Sequence, residues 1–384
     1  MCGIAGIILK KKSDLNLPEV ALNLSRALKH RGPDGEGIIC ISPNQITPFK
    51  TDHSPTFKNT ATNYIPKQEL SFTFSNCSAA FAHRRLSIID LSEAGHQPMC
   101  CKDAKIWITF NGEIYNYIEL KEELKNKGYV FVSDSDTEVV INAYKHWGKN
   151  CVEKFNGMWA FCIYDSANQL YFASRDRLGV KPFYYLNNLS YLAFASEQKA
   201  FVKSKLIKAD IDEKSLHHYL VNDVLEFDNA NFFKEVNELW PGTNLSYSVV
   251  TNEFKIERYY NLRENINLIN DSLSDEEITL RIKEKLENAV KLRLRSDVEV
   301  GSCLSGGIDS SALVGLMTEI TKKPVYTFTS VYKQGAFNEE KFADSLSKKN
   351  NSKHFKTSPD LNSFEKDFET LVYALDAPIW DSST

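Results

Sequence analysis

Apolar residues recur along this chain with two different periods, which separate the predicted helices from the predicted strands. Between residues 18 and 30, Val20, Leu24 and Leu28 repeat every fourth position. This period predicts an amphipathic helix that ends at Gly32 and Pro33. The apolar start, residues 1–9, is followed rather than preceded by its lysines, so it predicts a buried first strand and not a signal peptide.

Short runs rich in aromatic and β-branched residues predict further strands, at 81–83, 106–110, 159–164, 170–173 and 192–195. The runs at 159–164 and 170–173 predict a hairpin. Repeated strands with few helices predict an α+β domain, in which antiparallel sheets stack and helices cover their outer faces. The polar stretch 41–78 shows no sustained period and predicts a long loop or insertion.

The pattern changes after residue 240. Residues 241–275 are polar and rich in turn formers, which predicts a linker. A helix over 276–294 is then expected, with Ile278, Ile282, Leu286 and Val290 on one face. A strand at 298–304, a helix at 311–319 and a strand at 325–329 predict a parallel α/β sheet. We therefore expect domains at 2–240 and 276–384, joined by the linker 241–275.

Composition narrows the class of protein. The chain has 384 residues, 42% of them hydrophobic, which suits two or three folded domains and excludes a disordered chain. The net charge of -4 argues against nucleic acid or an anionic membrane surface as a partner. No apolar run approaches the roughly 20 residues that span a bilayer. Eight cysteines without a CxxC motif predict no disulfide framework, so we expect a reducing, cytoplasmic location and a packing role for Cys100 and Cys101.

Position two carries the first candidate for chemistry. If methionine is removed, Cys2 presents a thiol beside a free α-amine. The amine has a pKa of about 7.7–8.0 and the thiol about 8.5, so one residue can supply both nucleophile and base. Position alone, however, favours a buried strand cysteine without a catalytic role.

Four ordered motifs favour the catalytic interpretation: RGPDG at 31–35, RLSIID at 85–90, NGEIYN at 111–116 and SDTE at 135–138. With the Met-Cys-Gly-Ile start, they resemble the class II glutamine amidotransferases, and in particular the glutaminase domain of glutamine-hydrolysing asparagine synthetases. The resemblance extends to about Lys199. It implies an N-terminal-nucleophile hydrolase fold, with Cys2 as the residue that forms a thioester with glutamine.

The motifs suit the parts of that substrate. The Asn111 side chain and the Gly112 N–H can stabilise an oxyanion, although an Asn-Gly pair alone favours a hairpin turn. The Arg85 fork suits a carboxylate, and Asp136, with Glu113 nearby, suits an ammonium group. The expected glutamine-binding set is Arg85, Leu86, Ser87, Ile88, Ile89, Asn111, Gly112, Glu113 and Asp136.

Other polar residues receive structural interpretations. Ser135 and Glu138 have capping-box spacing, which would make Asp136 a first-turn acid of a helix, with or without a binding role. Arg84 is predicted to be a solvated charge. The histidines without metal-ligand spacing (His83, His96, His217 and His218), the aromatic run at 183–185 and the ion-pairing segment at 175–179 are expected to be structural.

The second predicted domain carries a serine- and glycine-rich turn between a strand and a helix. Gly306 and Gly307 permit a loop whose N–H groups face a phosphate, and Asp309 could hold Mg²⁺. The turn lacks the P-loop lysine and resembles the pyrophosphate loop of ATP pyrophosphatases. The expected ATP-binding set is Leu304, Ser305, Gly306, Gly307, Asp309, Ser310 and Ser330, and Ser311 adds a further hydroxyl.

Together the two resemblances imply glutamine-dependent asparagine synthesis. Glutamine would be hydrolysed at Cys2, and ammonia would attack β-aspartyl-AMP formed from aspartate and ATP with Mg²⁺. Glutamine, aspartate and ATP are the implied small-molecule partners, and a homodimer is compatible with the resemblance. Because the sequence stops at Thr384, before a later acidic loop of the family, we expect this segment to retain only the glutaminase step. Two alternatives stay open: amidation of another carboxylate or of a sugar in surface-polysaccharide biosynthesis, and a truncated regulatory protein that binds glutamine or ATP without turnover.

Overall fold

The chain divides into two units, Met1–Asn265 together with the segment from Ala374, and Ile266–Tyr373. The computed structural model describes residues 1–58, 62–72, 76–225, 231–266, 273–332 and 338–378. Within those ranges, no helix combines the length and the apolar composition needed to cross a membrane.

The described residues of the first unit form fourteen strands: β1 (Gly3–Leu9), β2 (Gly35–Ser42), β3 (Gln45–Lys50), β4 (Gln68–Glu69), β5 (Ala79–Arg85), β6 (Met99–Cys100), β7 (Ile106–Ile114), β8 (Gly157–Asp165), β9 (Leu170–Arg175), β10 (Tyr184–Asn187), β11 (Tyr191–Ala195), β12 (Asn237–Glu238), β13 (Thr243–Ser248) and β14 (Phe254–Arg258). They form an eight-stranded sheet of order β12-β10-β11-β1-β5-β2-β3-β4 and a six-stranded sheet of order β14-β13-β9-β8-β7-β6. Apart from the parallel β3–β4 pair, neighbouring strands run antiparallel.

The helices along this part of the chain are α1 (Leu17–Ala27), α2 (Tyr117–Asn126), α3 (Asp136–Trp147), α4 (Cys151–Lys154), α5 (Lys199–Lys203), α6 (Glu213–Asn222) and α7 (Leu262–Ile266). The two sheets stack, because Ile4 and Ile8 of β1 share a buried cluster with Phe110 of β7 and Phe161 of β8. Alternate residues of β1 face the other way, towards α1. Helix α3 packs on the second sheet, which gives helix, sheet, sheet and helix in layers.

Much of this architecture confirms the sequence analysis. Helix α1 and the apolar strands lie where the patterns predict them, and β8 and β9 form the expected hairpin, with Asp165 opposite Leu170. The run at 183–185 is buried at Phe183 and Tyr185, as expected of core residues.

Two predicted irregular segments contain strands. Part of the predicted insertion, β3, pairs with β2, and its Thr47 and Phe49 are buried in alternation with half-buried neighbours. The linker predicted at 241–275 is wrong over β13 and β14, which extend the second sheet beyond β9. Most of β14 is exposed and polar, so its sequence does not show the apolar pattern that predicts a strand. Residues 59–61 and 73–75 of the predicted insertion, and 267–272 of the predicted linker, lie outside the described residues.

Arg84 is a buried cation, so its prediction as a solvated charge is wrong. It lies in β5 directly opposite Glu36 of β2, and its Nη2 approaches Glu36 Oε1 to 2.7 Å. Its Nε donates to the carbonyl of Ser25 in α1 at 3.1 Å. Successive side chains of β5 point to opposite faces of the sheet, and both faces of this inner strand are covered. The face that carries Arg84 is therefore buried and not solvated.

The second unit contains a three-stranded sheet and helices. Its strands β15 (Gly301–Cys303), β16 (Tyr326–Ser330) and β17 (Lys353–Thr357) are parallel, and α8 (Asp275–Arg293), α9 (Ile308–Thr321), α10 (Glu340–Lys349) and α11 (Leu361–Leu375) are its helices. The strand–helix–strand order confirms the predicted parallel sheet, although β15 is shorter than expected. Ser274 and Glu277 form a capping box at the start of α8. The apolar face predicted for α8 is buried at Val290, whereas Ile282 is 62% exposed.

Candidate active site

A cavity of about 220 Å³ in the first unit collects residues from both sheets and from the start of α3. Cys2 precedes β1, Arg85 ends β5 and Asp136 begins α3. The cavity brings together every residue that the sequence analysis assigns to glutamine: Cys2, Arg85, Leu86, Ser87, Ile88, Ile89, Asn111, Gly112, Glu113 and Asp136.

Cys2 is held by contacts to its side chain and its backbone. The Leu86 N–H donates to Cys2 Sγ at 3.3 Å, and the Arg31 Nε donates to the Cys2 carbonyl at 2.9 Å. Burial raises the pKa of the Cys2 thiol, and the Leu86 N–H, the α-amine, Arg85 and Lys181 act in the opposite direction. Met1, which carries the α-amine here, also lines the cavity, and burial lowers the pKa of that amine.

Asn111 and Gly112 lie inside β7, opposite Ala160 and Trp159 of β8. The hairpin-turn alternative for this dipeptide is therefore wrong. The Asn111 side chain is 1% exposed, and among the described residues its Nδ2 has no hydrogen-bond acceptor. A Cβ at Gly112 would lie 2.3 Å from the carbonyl oxygen of Met158, so only glycine fits against β8 here. A buried, unpaired donor in a cavity wall suits an oxygen atom of a bound substrate.

Two carboxyl groups, those of Glu113 and Asp136, also line the cavity. Asp136 is 4% exposed, and its Oδ2 accepts from the Ile114 N–H at 2.9 Å. Burial, with a smaller contribution from Glu113, raises the pKa of Asp136 to about 7. Burial also raises the pKa of Glu113, and Lys181 opposes that shift. This pair of acids can bind a cationic group.

Asp136 is also the first residue of α3, so both of its expected roles are compatible with the structure. The Ser135 Oγ accepts from the Thr137 N–H at 3.2 Å and caps the helix. The predicted capping box is wrong in its second half, because Glu138 accepts from the Ser133 N–H at 2.8 Å. Glu138 thus binds the loop that precedes α3 rather than the backbone N–H of the cap residue.

Arg85 is oriented by the loop that follows β5. Its Nη1 donates to the Ser92 carbonyl at 2.9 Å, and its Nη2 donates to the Asp90 carbonyl. A Cβ at Gly95 would lie 2.7 Å from the Asp90 carbonyl oxygen and 1.9 Å from Arg85 Nη2, so a side chain here would displace the Arg85 guanidinium and crowd the backbone. The remaining N–H groups of the guanidinium leave a fork that can bind a carboxylate.

Sequence reasoning missed several cavity residues, among them the polar Gln97 and Lys181. The Gln97 Oε1 accepts from the Phe110 N–H at 2.7 Å, and its Nε2 donates to Thr137 Oγ1 at 3.2 Å, which ties the loop to β7 and α3. Lys181 lies two residues beyond the 175–179 segment, and its N–H donates to Asp176 Oδ2 at 3.0 Å. The neighbouring 175–179 segment is the available signal, but its charges alone predict structural ion pairing.

The 175–179 segment has a structural role, and its first residue forms the expected ion pair. Arg175 pairs with Glu238 at 2.5 Å. Asp176, by contrast, accepts backbone N–H groups, including that of Trp159 at 3.2 Å, and so holds the following turn against β8.

The histidines and the remaining cysteines do not form a metal site in the described part of the chain. Burial lowers the pKa of both His83 and His96 to about 3, so both are neutral. All eight cysteines are free thiols, and Cys100 and Cys101 are buried, as their predicted packing role requires.

The serine- and glycine-rich turn of the second unit joins β15 to α9. Gly306 has φ +87°, and a Cβ there would lie 2.5 Å from Phe342 Cβ, so the turn requires glycine. Gly307 caps α9, and its N–H donates to Ser305 Oγ at 3.3 Å. Ser305 and Ser310 join their hydroxyl groups at 3.0 Å.

The other expected ATP-binding residues lie around this turn. The buried Leu304 bonds through its N–H to the Phe328 carbonyl at 2.8 Å, and Ser330 ends the adjacent strand β16. Asp309 lies exposed in the first turn of α9. One carboxylate beside a turn of backbone N–H groups is a donor set compatible with Mg²⁺, which is commonly held by one or two carboxylates together with substrate phosphates.

Two family models match the chain. The glutamine amidotransferase domain matches residues 68–260, and the asparagine synthase domain matches residues 281–384. These matches cover the cavity residues from Arg85 onwards and the whole serine- and glycine-rich turn.

Curated proteins and a solved structure are similar over most of the chain. A putative glutamine-hydrolysing asparagine synthetase 2 of Methanocaldococcus jannaschii is 35% identical over an alignment 405 residues long, covering 100% of this chain and 70% of the relative. Asparagine synthetase 1 of Bacillus subtilis is 30% identical, covering 99% of this chain and 54% of the relative. This chain thus spans between about half and 70% of the length of these two relatives. Glutamine phosphoribosylpyrophosphate amidotransferase from B. subtilis has a similar fold, with a TM-score of 0.51 and 17% identity, covering 95% of this chain and 92% of that chain.

Proposed function

The chain belongs to the family of glutamine-hydrolysing asparagine synthetases, and we propose that its first unit hydrolyses glutamine at Cys2 to supply ammonia for an ATP-dependent amidation of aspartate. One observation carries the glutaminase assignment. A single cavity holds the Cys2 thiol, the unpaired Asn111 Nδ2, the Arg85 fork and the Glu113–Asp136 pair of acids.

The reaction follows from these positions. After removal of Met1, the α-amine of Cys2 accepts the thiol proton, and Sγ attacks the amide carbon of glutamine. The Leu86 N–H, at 3.3 Å from Sγ, stabilises the thiolate. The oxyanion then receives hydrogen bonds from Asn111 Nδ2 and the Gly112 N–H. The proton held by the α-amine passes to the leaving nitrogen, and ammonia departs.

The thioester at Cys2 is then hydrolysed by water, which releases glutamate and restores the thiol. The net change is glutamine plus water to glutamate plus ammonia. Throughout both steps the substrate is held by its unreactive end. Arg85 binds the α-carboxylate, and the α-ammonium group lies against Asp136 and Glu113. Both charges of the bound glutamine are therefore paired inside the cavity.

The second unit would bind ATP at the turn that begins α9. The N–H groups of the turn and the hydroxyl groups of Ser305 and Ser310 suit phosphate oxygens. Asp309 would hold Mg²⁺, which would neutralise phosphate charge. Ser330 and Leu304 would contact the adenine through their backbones. Aspartate as the acceptor rests on the family alone.

The direct test is glutamate release from glutamine by the purified chain. We expect release by the wild type and none by Cys2→Ala. Cys77→Ala is the matched control, because Cys77 is similarly half-exposed but lies outside the cavity. Equal glutamate release by wild type and Cys2→Ala would contradict the proposal.

A second assay addresses the acceptor. Aspartate-dependent pyrophosphate release is measured with ammonia supplied, so that the glutaminase step is bypassed. Release that requires aspartate would support the synthetase activity of this chain. Its absence, with glutaminase intact, would agree with the sequence-based expectation that this segment carries only glutamine hydrolysis.

A further inference from the structure

Lys181 introduces a second cation, besides Arg85, into the wall of the cavity that holds Cys2, and the sequence motifs do not predict it. Its side chain lines the same cavity as Cys2 and Glu113, and the residue is 6% exposed. Its backbone is fixed on both sides. The N–H donates to Asp176 Oδ2 at 3.0 Å, and the carbonyl accepts from Arg175 Nε at 2.8 Å.

This ammonium group has no ion-pair partner among the described residues. Burial lowers the pKa of Lys181, and the charges of Glu113 and Cys2 are the main influences that oppose this shift. Burial of this residue partly desolvates its ammonium group, which costs free energy, and an apolar side chain of similar length would be easier to accommodate. The cost points to a use for the charge within the cavity.

The surrounding charges identify the anion that Lys181 can serve. The charged groups that act on Cys2 and Lys181 are the α-amine, Arg31, Arg85, Glu113 and Asp176, with Asp34 acting on the α-amine and Asp136 next to Glu113. Arg85 is already bonded to the carbonyls of Ser92 and Asp90. Lys181 instead has no bonded partner in the described part of the chain, so its charge is available to an anion that forms at Cys2.

We propose that Lys181 is a positioning residue for the glutaminase reaction, which stabilises the thiolate of Cys2 electrostatically while balancing the charge of Glu113. The inference rests on the proposed role of Cys2 as the nucleophile. It assigns to Lys181 a contribution that acts through Cys2 and involves no contact with the atoms of glutamine that react.

The test follows alkylation of Cys2 by iodoacetamide as a function of pH, with peptide mass spectrometry to separate Cys2 from the other thiols. The variants are Lys181→Met, Lys181→Gln and Lys181→Arg. Lys127→Met, at an exposed position after α2, is the control. We expect the alkylation midpoint to rise by about half to one pH unit in the Met and Gln variants, which lowers the thiolate fraction at pH 7 by about threefold to tenfold. Lys181→Arg and Lys127→Met should keep the wild-type midpoint.

The midpoint is the chosen readout because a thiolate of higher pKa is also intrinsically more nucleophilic, which partly hides the change in rate at a single pH. Thermal unfolding gives a second readout. Desolvation of the Lys181 ammonium group opposes folding and its attraction to Glu113 favours folding, so Lys181→Met should change the Tm little, whereas loss of a structural residue would lower it. If Lys181→Met does not fold, Lys181→Gln provides the same comparison.

Wild-type midpoints in both neutral variants would overturn the inference. That outcome is distinct from failure of the proposed function, because alkylation needs no turnover of glutamine. Failure of the proposed function would instead appear as glutamate release that persists in Cys2→Ala.

Discussion

Asp136→Asn tests whether the buried carboxylate of Asp136 contributes to glutamine binding while it destabilises the folded protein. The substitution keeps the shape of the side chain and an oxygen that can accept from the Ile114 N–H, now at 2.9 Å. The Ser135 cap of α3 is retained. The variant therefore removes mainly one negative charge from the cavity wall.

The expected loss in binding follows from the burial of Asp136. A hydrogen bond to a charged group contributes about 1.5–3 kcal/mol, so the KM for glutamine should rise by about tenfold to 150-fold. The kcat should change much less, because the α-ammonium group does not react. In the wild type, KM should also depend on pH. With a pKa of about 7, Asp136 is protonated in the empty cavity below pH 7 and cannot pair with the ammonium group. At pH 6 about one tenth of the molecules carry the charge, which raises the apparent KM about tenfold relative to its limiting value at high pH.

The same pKa shift has the opposite sign for stability. Because the pKa is higher in the folded state, the folded protein binds the proton more tightly, and stability falls as the pH rises from about 4 to 7. A rise from 3.8 to about 7 corresponds to a cost on the order of 4 kcal/mol above pH 7. Without glutamine, Asp136→Asn should therefore have a higher Tm than the wild type at pH 8 and a similar Tm near pH 3.5.

Two experiments decide the case: steady-state glutaminase kinetics between pH 5.5 and 8.5, and thermal unfolding over a wider pH range. A KM unchanged by Asp136→Asn at pH 8 would refute the assignment of Asp136 to the ammonium group. A lower Tm for the variant at pH 8 would refute the account of its burial. Any dependence of KM on pH that remains in Asp136→Asn reports the contribution of Glu113 to binding of the ammonium group.

Two further predictions concern the oxyanion donor and the buried ion pair. Asn111→Ala should lower kcat by about 100-fold to 1000-fold with little change in KM, because its Nδ2 matters most once charge develops on the substrate; steady-state kinetics measure this, and a change confined to KM would contradict the role. Arg84→Ala leaves Glu36 buried with the hydroxyl groups of Ser25 and Thr51 but without its cation, and should cost about 3–5 kcal/mol in urea unfolding, whereas replacing both residues by leucine should recover most of the loss. Equal destabilisation by the single and double variants would show that the packing, not the charge, is the main contribution.

The sequence predicts most of the first unit because its strands carry strong local patterns. The runs that become β7, β8 and β9 are aromatic and apolar, and their hairpin has a short polar connection. Strand β14 lies at the edge of its sheet and is largely exposed, so its composition resembles that of a linker. Its strand character comes from pairing with β13, a contact that a single sequence does not display.

The candidate active site also contains residues that the sequence predicts and residues that it does not. The glutamine-binding residues occur in short motifs, so their types and order indicate their chemistry before the fold is known. Arg84 and Lys181 carry no such signal. Each is buried because of what surrounds it: Glu36 and α1 for Arg84, and the turn held by Asp176 for Lys181. Charged residues are usually solvated, and only the three-dimensional neighbours reveal these exceptions.

The most direct test of the central claim is to trap the covalent intermediate. The purified chain is mixed with glutamine and quenched in acid during turnover, and the intact protein and its peptides are analysed by mass spectrometry. We expect loss of Met1 and a glutamyl thioester on the peptide that begins at Cys2, absent from Cys2→Ala and unchanged in Cys77→Ala. Glutamine hydrolysis that continues in Cys2→Ala, with no acyl group on Cys2 of the wild type, would contradict the account.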